Sequence, residues 1–236
     1  MMEELHDLVA ANRILAAHGV IDAYGHVSMR SPRNPGRYYV ARAIAPETVQ
    51  VEDLLEYDLD SRCIDEKGAE SVRERFIHGE IYKARPDVMA VVHNHSPSVI
   101  PFGATGVPMR PIYHMAAFVG EGVPVFEIRD FEKGTDLLVK SAFLGNALAK
   151  VLGAKPAALM RGHGATVVGE NLPRAVGRSI YLEQSAQLQM QALLLSKNVT
   201  FLDDAEVKAS NPVQNYKRAW PMWRAKALAQ AKAERG

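Results

Sequence analysis

The feature that most constrains this chain is a run near its middle, Val88-Met89-Ala90-Val91-Val92-His93-Asn94-His95. Its apolar, β-branched first half describes a buried strand. A buried strand needs a sheet, and the sheet needs helices over it. The flanking sequence supplies them. Residues from about 3 to 17 and from 70 to 85 carry apolar positions at helical spacing, with Gly19 and Pro86 as stops. Ser96-Pro97 predicts a helix starting directly after the histidines. A further amphipathic helix is expected over 133–152, ending near Gly153. Residues 156–169 read as strand, tight glycine turn, strand, and residues 38–45 as another strand. The longest helical pattern runs from Pro173 to about Lys197, and after Asn211-Pro212 comes a basic, aromatic last helix. This irregular alternation predicts a layered α/β domain. No repeat or long linker divides the chain, so one domain over 1–236 is expected, with a helical extension from about 203.

Composition excludes several function classes. The chain has 236 residues and is 47% hydrophobic and 23% charged, which is globular rather than disordered. Its net charge is +1, so nothing favours nucleic acid or an anionic membrane as a partner. No apolar run reaches the roughly 20 residues of a membrane span. Cys63 is the single cysteine, so neither an internal disulfide nor a cysteine-built zinc site can form. No His or Lys partner marks it as a nucleophile. The acidic start, Met1 to Val9, does not read as a signal peptide, and a cytoplasmic protein is expected.

The chemistry is concentrated in histidines. His93 and His95 are two residues apart at a strand end, so both imidazoles project to one side. His163 lies in Arg161-Gly162-His163-Gly164, where glycines allow close backbone approach. A third histidine from such a turn completes a three-histidine site with an open position, the pattern of a catalytic metal. By itself, His-x-His is equally an incidental polar strand end; the second motif tips the reading towards metal. Glu74 opens the helix before that strand, where a carboxylate can serve as fourth ligand or proton carrier. Spacing alone does not select it from Glu70 and Glu80. His78, four residues on, reads as a core or paired histidine. Gly25-His26-Val27-Ser28 and Tyr113-His114-Met115 are expected in loops, where local hydrogen bonding and substrate contact are both open. Arg129-Asp130 reads as an ordinary turn or pair.

Taken in order, GHVSMR, ERFIHGEIY, ARPDVMAVVHNH and RGHG resemble the class II aldolase/adducin family, from about residue 5 to about 195. The resemblance implies a three-layer α/β/α sandwich around a mostly antiparallel sheet, assembled as a homotetramer. It implies a divalent metal on His93, His95 and His163, with Glu74 at the acid/base position. Three departures from the sugar-phosphate aldolases stand out. His26 replaces an asparagine, Ala45-Pro46-Glu47-Thr48 replaces a Thr/Ser-Gly-Gly-like loop, and Val72-Arg73 replaces paired serines. Glu47 at a phosphate position would repel phosphate. His114 falls at a proton-donating tyrosine, with Tyr113 beside it. With HMAAFVGEGVP, this set resembles the decarboxylase branch, whose members act on hydroxylated aromatic or pyridine carboxylates.

That resemblance implies a small-molecule carboxylate as partner and Mn²⁺ as metal, where the aldolases imply Zn²⁺; Fe²⁺ and Co²⁺ also suit the ligands. Glu74 and His114 are the expected catalytic residues. His26, Ser28, Arg73 and Tyr113 are the expected substrate contacts. Tyr216, Trp220 and Trp223 of the last helix either pack it down or close a site at a subunit boundary. Two other readings share the residues: an aldolase or epimerase on a non-phosphorylated substrate, and a non-catalytic adducin-like interaction domain.

Overall fold

The computed structural model describes residues 2–65, 69–211 and 215–234. Seven strands form one sheet: β1 (His26–Arg30), β2 (Arg37–Ala41), β3 (Leu54–Asp58), β4 (Ala90–Asn94), β5 (Val125–Phe126), β6 (Ala157–Met160) and β7 (Gly164–Gly169). Their order is β3-β2-β1-β4-β7-β6-β5. Among the described residues, only the β5–β6 pairing is parallel. The helices are α1 (Met2–Ala17), α2 (Arg75–Ala84), α3 (Ile100–Thr105), α4 (Ala142–Leu152), α5 (Leu172–Leu195), α6 (Asp204–Ser210) and α7 (Ala219–Ala233).

Strand alternation divides the interior into two cores. Ala90 and Val92 of β4 face a core built with Ile14 of α1, Phe102 of α3 and Ile180 of α5. Val91 faces the other core, with Ile77 and Ile81 of α2 and Leu144 and Leu148 of α4. Helices therefore cover both faces, and the fold is a three-layer α/β/α sandwich with a mostly antiparallel sheet, as the resemblance implied. β4 pairs with β1 on one side and β7 on the other, so the His93–His95 motif lies at the sheet's centre.

Local signals explain most boundaries. Gly19 stops α1 in the left-handed region at φ +65°. Ser141 caps α4 by accepting from the Leu144 amide, and Asn171 caps α5 through the Arg174 amide. Other boundaries differ from expectation. Residues 133–140 are not helical: Gly134 and Leu137 both take positive φ, and Thr135 and Asp136 accept amide hydrogen bonds in turns. The helix expected from residue 70 begins at Arg75, with Glu74 at its N-cap. Ser96 does not cap a helix with its side chain; its hydroxyl donates to the Val20 carbonyl, and α3 starts only at Ile100. β2 ends at Ala41, short of residue 45. β1 and β3 are additions, so His26 and Ser28, expected in a loop, stand in a fully buried strand. The boundary at Pro212 lies outside the described residues.

The last helix packs down. Ala227 and Ala231 are buried, Trp220 and Trp223 lie against the α1 core, and Trp223 meets His18 edge-on at 5.3 Å. Arg224 pairs with Asp7, and Arg13 with Glu234 at 2.9 Å. α7 thus belongs to its own chain's α1 layer. Among the described residues, no helix is long and apolar enough to cross a membrane.

Candidate metal centre and its cavity

A strand end, a turn between strands and a helix N-terminus meet at one end of the sheet. β4 delivers His93 and, one step past its end, His95. The turn between β6 and β7 delivers His163. The N-cap of α2 delivers Glu74. That turn depends on both its glycines. Gly162 takes φ +67°, and a Cβ on Gly164 would overlap the Asn94 carbonyl oxygen. The side-chain-free approach of β7 to β4 lets His163 face the strand histidines.

One ligand atom from each of Glu74, His93, His95 and His163 falls within 4.8 Å of the others. Glu74 Oε2 is 3.4 Å from His93 Nε2 and 3.4 Å from His163 Nε2. His95 Nε2 and His163 Nε2 are 3.0 Å apart. The outer nitrogens of His95 and His163 are anchored, whereas His93 Nδ1 has no hydrogen-bond partner among the described residues. His95 Nδ1 lies 3.0 Å from Asp22 Oδ2, and His163 Nδ1 lies 3.0 Å from the Leu137 carbonyl oxygen. An ionised carboxylate and a carbonyl only accept, so both Nδ1 atoms carry the proton. Both Nε2 atoms then present lone pairs to each other at hydrogen-bond distance, which is repulsive without a cation between them. His93 Nε2 is fully buried and has no hydrogen-bond partner. Three converging lone pairs and a carboxylate oxygen fit a divalent metal, with outer partners orienting the His95 and His163 imidazoles.

Glu74 is fixed on its other side, where Oε1 accepts from the Val139 amide at 2.8 Å. Residues 137–139 therefore spend one carbonyl on His163 and one amide on Glu74. Burial opposes ionisation of Glu74, but His93 and His163 outweigh it and hold the carboxyl well below its ordinary range. Burial pushes His93 down despite Glu74, whereas Glu74 outweighs burial at His163 and raises it. Asp22 is lowered, burial notwithstanding, by His95 and by the Tyr24 amide.

A cavity of about 630 Å³ opens in front of this set, within the ordinary range for small-molecule sites. Glu74, His95, His26 and Arg73 line it, with a mostly aliphatic wall that includes Ile44, Val72 and Leu138. The Arg73 side chain makes no ion pair or hydrogen bond among the described residues. Arg42 is engaged by Asp53 at 2.8 Å, and the Ser71 hydroxyl by Tyr57 at 2.7 Å.

Several expectations need correction. Ser28 does not reach the cavity: it is fully buried, with its hydroxyl 2.6 Å from His78 Nδ1 and 2.7 Å from the Tyr82 hydroxyl. His78 does not pair with Glu74; its Nε2 lies 2.6 Å from His26 Nδ1. Glu47 is exposed and off the cavity wall, so the acidic neighbour there is Glu70. Tyr113 and His114 also lie off that wall. Tyr113 donates to Gln184 Oε1 of α5 at 3.1 Å, and His114, itself exposed, starts the 3₁₀ segment His114–Glu121, whose middle is buried. Asp22, Leu137 and Val139 were missed. Asp22 sits in a turn where its carboxylate also accepts from the Tyr24 and Gly25 amides, an Asx pattern visible in sequence; the other two act through backbone and leave no side-chain signal.

Comparison with known proteins agrees with this geometry. The Class II Aldolase and Adducin N-terminal domain matches residues 6–190. The chain is 34% identical to Decarboxylase tropJ of Talaromyces stipitatus, over 91% of this chain and 90% of that protein. It is 28% identical to the 3,4-dihydroxyphthalate decarboxylase of Rhodococcus jostii, over 83% of each. Among solved structures, L-fuculose 1-phosphate aldolase from Glaciozyma antarctica superposes with a TM-score of 0.78 at 23% identity, covering 99% of this chain and 90% of that one.

Proposed function

The chain belongs to the class II aldolase and adducin family, and on that premise we propose that it is a metal-dependent decarboxylase of an ortho-hydroxy aromatic or pyridine carboxylate. The observation that carries the reading is the meeting of four ligand atoms, Glu74 among them, at the rim of a largely aliphatic cavity. Decarboxylases by name among the relatives support it.

His93, His95 and His163 would hold one divalent metal per subunit through Nε2, Mn²⁺ favoured, with Zn²⁺, Fe²⁺ or Co²⁺ tolerated by the same donors. The metal supplies a Lewis acid for negative charge building on the substrate's hydroxyl oxygen. The rest falls to the chain. Losing CO₂ directly into an in-plane ring orbital is hard, because that electron pair cannot delocalise. A proton must first reach the ring carbon that bears the carboxylate. Glu74, ionised and with Oε2 facing the site, accepts the hydroxyl proton and returns it to that carbon. The carbon–carboxylate bond then breaks, its electron pair passing to the ring oxygen. Such a proton carrier contributes ~10²–10⁴ in rate. Arg73, unengaged at the wall, suits a second carboxylate, and the aliphatic lining suits a planar ring.

His114 and Tyr113 lie off this chain's cavity wall and would act at that of a neighbouring copy. We assign them that role in a homotetramer, where His114→Phe subunits mixed with Glu74→Gln subunits recover activity. The deciding experiment is CO₂ release by Mn²⁺-loaded protein. Its panel holds dihydroxyphthalates, ortho-hydroxybenzoates and 3-hydroxy-2-methylpyridine-4,5-dicarboxylate. Release that disappears in His93→Ala establishes the reaction and ranks the substrates. Cleavage of non-phosphorylated hydroxy-ketones instead, with no CO₂, returns the chain to aldolase chemistry. Protein that takes up no metal supports the interaction-domain reading.

A further inference from the structure

Behind the metal ligands lies a second polar cluster that the reaction above does not use. It is a single file: His26 Nδ1 to His78 Nε2 at 2.6 Å, His78 Nδ1 to Ser28 Oγ at 2.6 Å, Ser28 Oγ to the Tyr82 hydroxyl at 2.7 Å. His26 and Ser28 come from β1, His78 and Tyr82 from α2. All are buried, and only His26 touches the cavity.

The file has one order of protons that wastes none. Tyr82 stays a phenol, since burial raises its hydroxyl above the ordinary value. Among the described residues the Tyr82 hydroxyl has one hydrogen-bond partner, Ser28 Oγ, so its hydrogen goes to Ser28. Ser28 then turns its own hydrogen to His78 Nδ1. Burial keeps His78 neutral, its pKa pushed down to about 3, so its one proton sits on Nε2 and points at His26 Nδ1. His26 Nδ1 accepts that proton, so the His26 ring carries its own on the remaining nitrogen, Nε2. Reversing the file strands the Tyr82 hydrogen; letting both neighbours donate to Ser28 strands the serine hydrogen. Either leaves one buried donor unused, which disfavours it by about ten to one or more.

We propose that Ser28, through His78, fixes His26 as a neutral Nε2–H donor aimed into the cavity. His26 is then not a general base. It donates to an oxygen of the substrate, a carboxylate or the ring oxygen that gains charge, and it selects ligands with an acceptor there. Ser28, His78 and Tyr82 are positioning residues. Which oxygen His26 meets rests on the decarboxylase reading; the proton order does not.

The test is ¹⁵N-histidine NMR of the full chain loaded with diamagnetic Zn²⁺. Long-range ¹H–¹⁵N correlations identify the tautomers, assigned by loss of signals in His26→Gln and His78→Gln. Both rings are expected as Nε2–H. Ser28→Ala removes the anchor and brings the two His26 tautomers to within a few-fold of each other. Tyr82→Phe keeps the order, because the Ser28 hydrogen still finds only His78. Nδ1–H on either ring in the wild type overturns the proposal, and so does an unchanged tautomer ratio in Ser28→Ala. If Ser28→Ala fails to fold, the wild-type and Tyr82→Phe spectra decide alone. A silent CO₂ assay with these tautomers in place overturns the decarboxylase reading and leaves the proton order standing.

Discussion

Two histidine clusters share one face of the sheet and differ in what their ring nitrogens meet. In the forward cluster, Asp22 and the Leu137 carbonyl take the outer nitrogens of His95 and His163, leaving their Nε2 lone pairs to converge with His93 and Glu74. In the rear cluster, His26 and His78 spend ring nitrogens on each other and on Ser28. The rings of His26 and His93 are only 5.0 Å apart, so proximity does not distinguish the two. Outer acceptors do. An oxygen acceptor behind His95 and another behind His163 leave each Nε2 free for a metal, whereas His26 and His78 stand behind each other in a hydrogen-bonded file; His93, with no hydrogen bond at Nδ1, faces the site by strand position alone.

The strongest way to break this contrast is to empty the forward cluster. His93→Ala is expected to bring bound metal, read by elemental analysis, and turnover to background. It also removes the stabilisation that metal gives, about 2.7 kcal/mol at a concentration one hundred times Kd. His78→Gln should leave metal content intact; loss of metal there would merge the clusters. Next, Glu74→Gln is expected to lower kcat by ~10²–10⁴ with the metal still bound. Full turnover in this variant would remove Glu74 from proton transfer. Asp22→Asn, which weakens the acceptor behind His95, is expected to cost about 10–100-fold in metal affinity. Metal titration showing no change would mean the outer acceptor does not define the ligand.

The effect confined to acid belongs to the rear cluster. His78 has its pKa pushed from 6.5 to about 3 by burial. Above pH 6.5 the ring is neutral in both folded and unfolded chains, and its contribution is fully present. As pH falls below 6.5 the unfolded chain takes up a proton that the folded one refuses, so stability declines until about pH 3. The limiting slope is about 1.4 kcal/mol per pH unit for such a group. Urea unfolding of metal-free protein across that window should show a shallower decline in His78→Gln. An equal slope would place the acid sensitivity elsewhere.

The same contrast explains what the sequence made legible. His93-Asn94-His95 and the turn around His163 are local patterns, readable because strand periodicity and glycine turns act over a few residues. The β4 strand and the covering helices follow from apolar spacing in the same way. β1 was hidden because His26, Ser28 and Arg30 look polar. Their partners are more than 50 residues away on and after α2: His78 for His26, Tyr82 for Ser28, and the Val88 and Tyr82 carbonyls for Arg30. Likewise, 133–140 has helical spacing, but its backbone is committed to His163 and Glu74, a tertiary use that propensity does not register.

Asp22 has a consequence beyond orienting one imidazole. Its carboxylate accepts the Tyr24 amide at 2.9 Å and the Gly25 amide at 3.1 Å while it holds His95. A single side chain thus fastens the segment between α1 and β1 to the end of β4. A fluctuation that swings the Asp22 carboxylate away frees those two amides and releases the His95 ring together. Solvent exchange at Tyr24 and Gly25 is therefore a local reporter of occupancy at a centre that neither residue ligates.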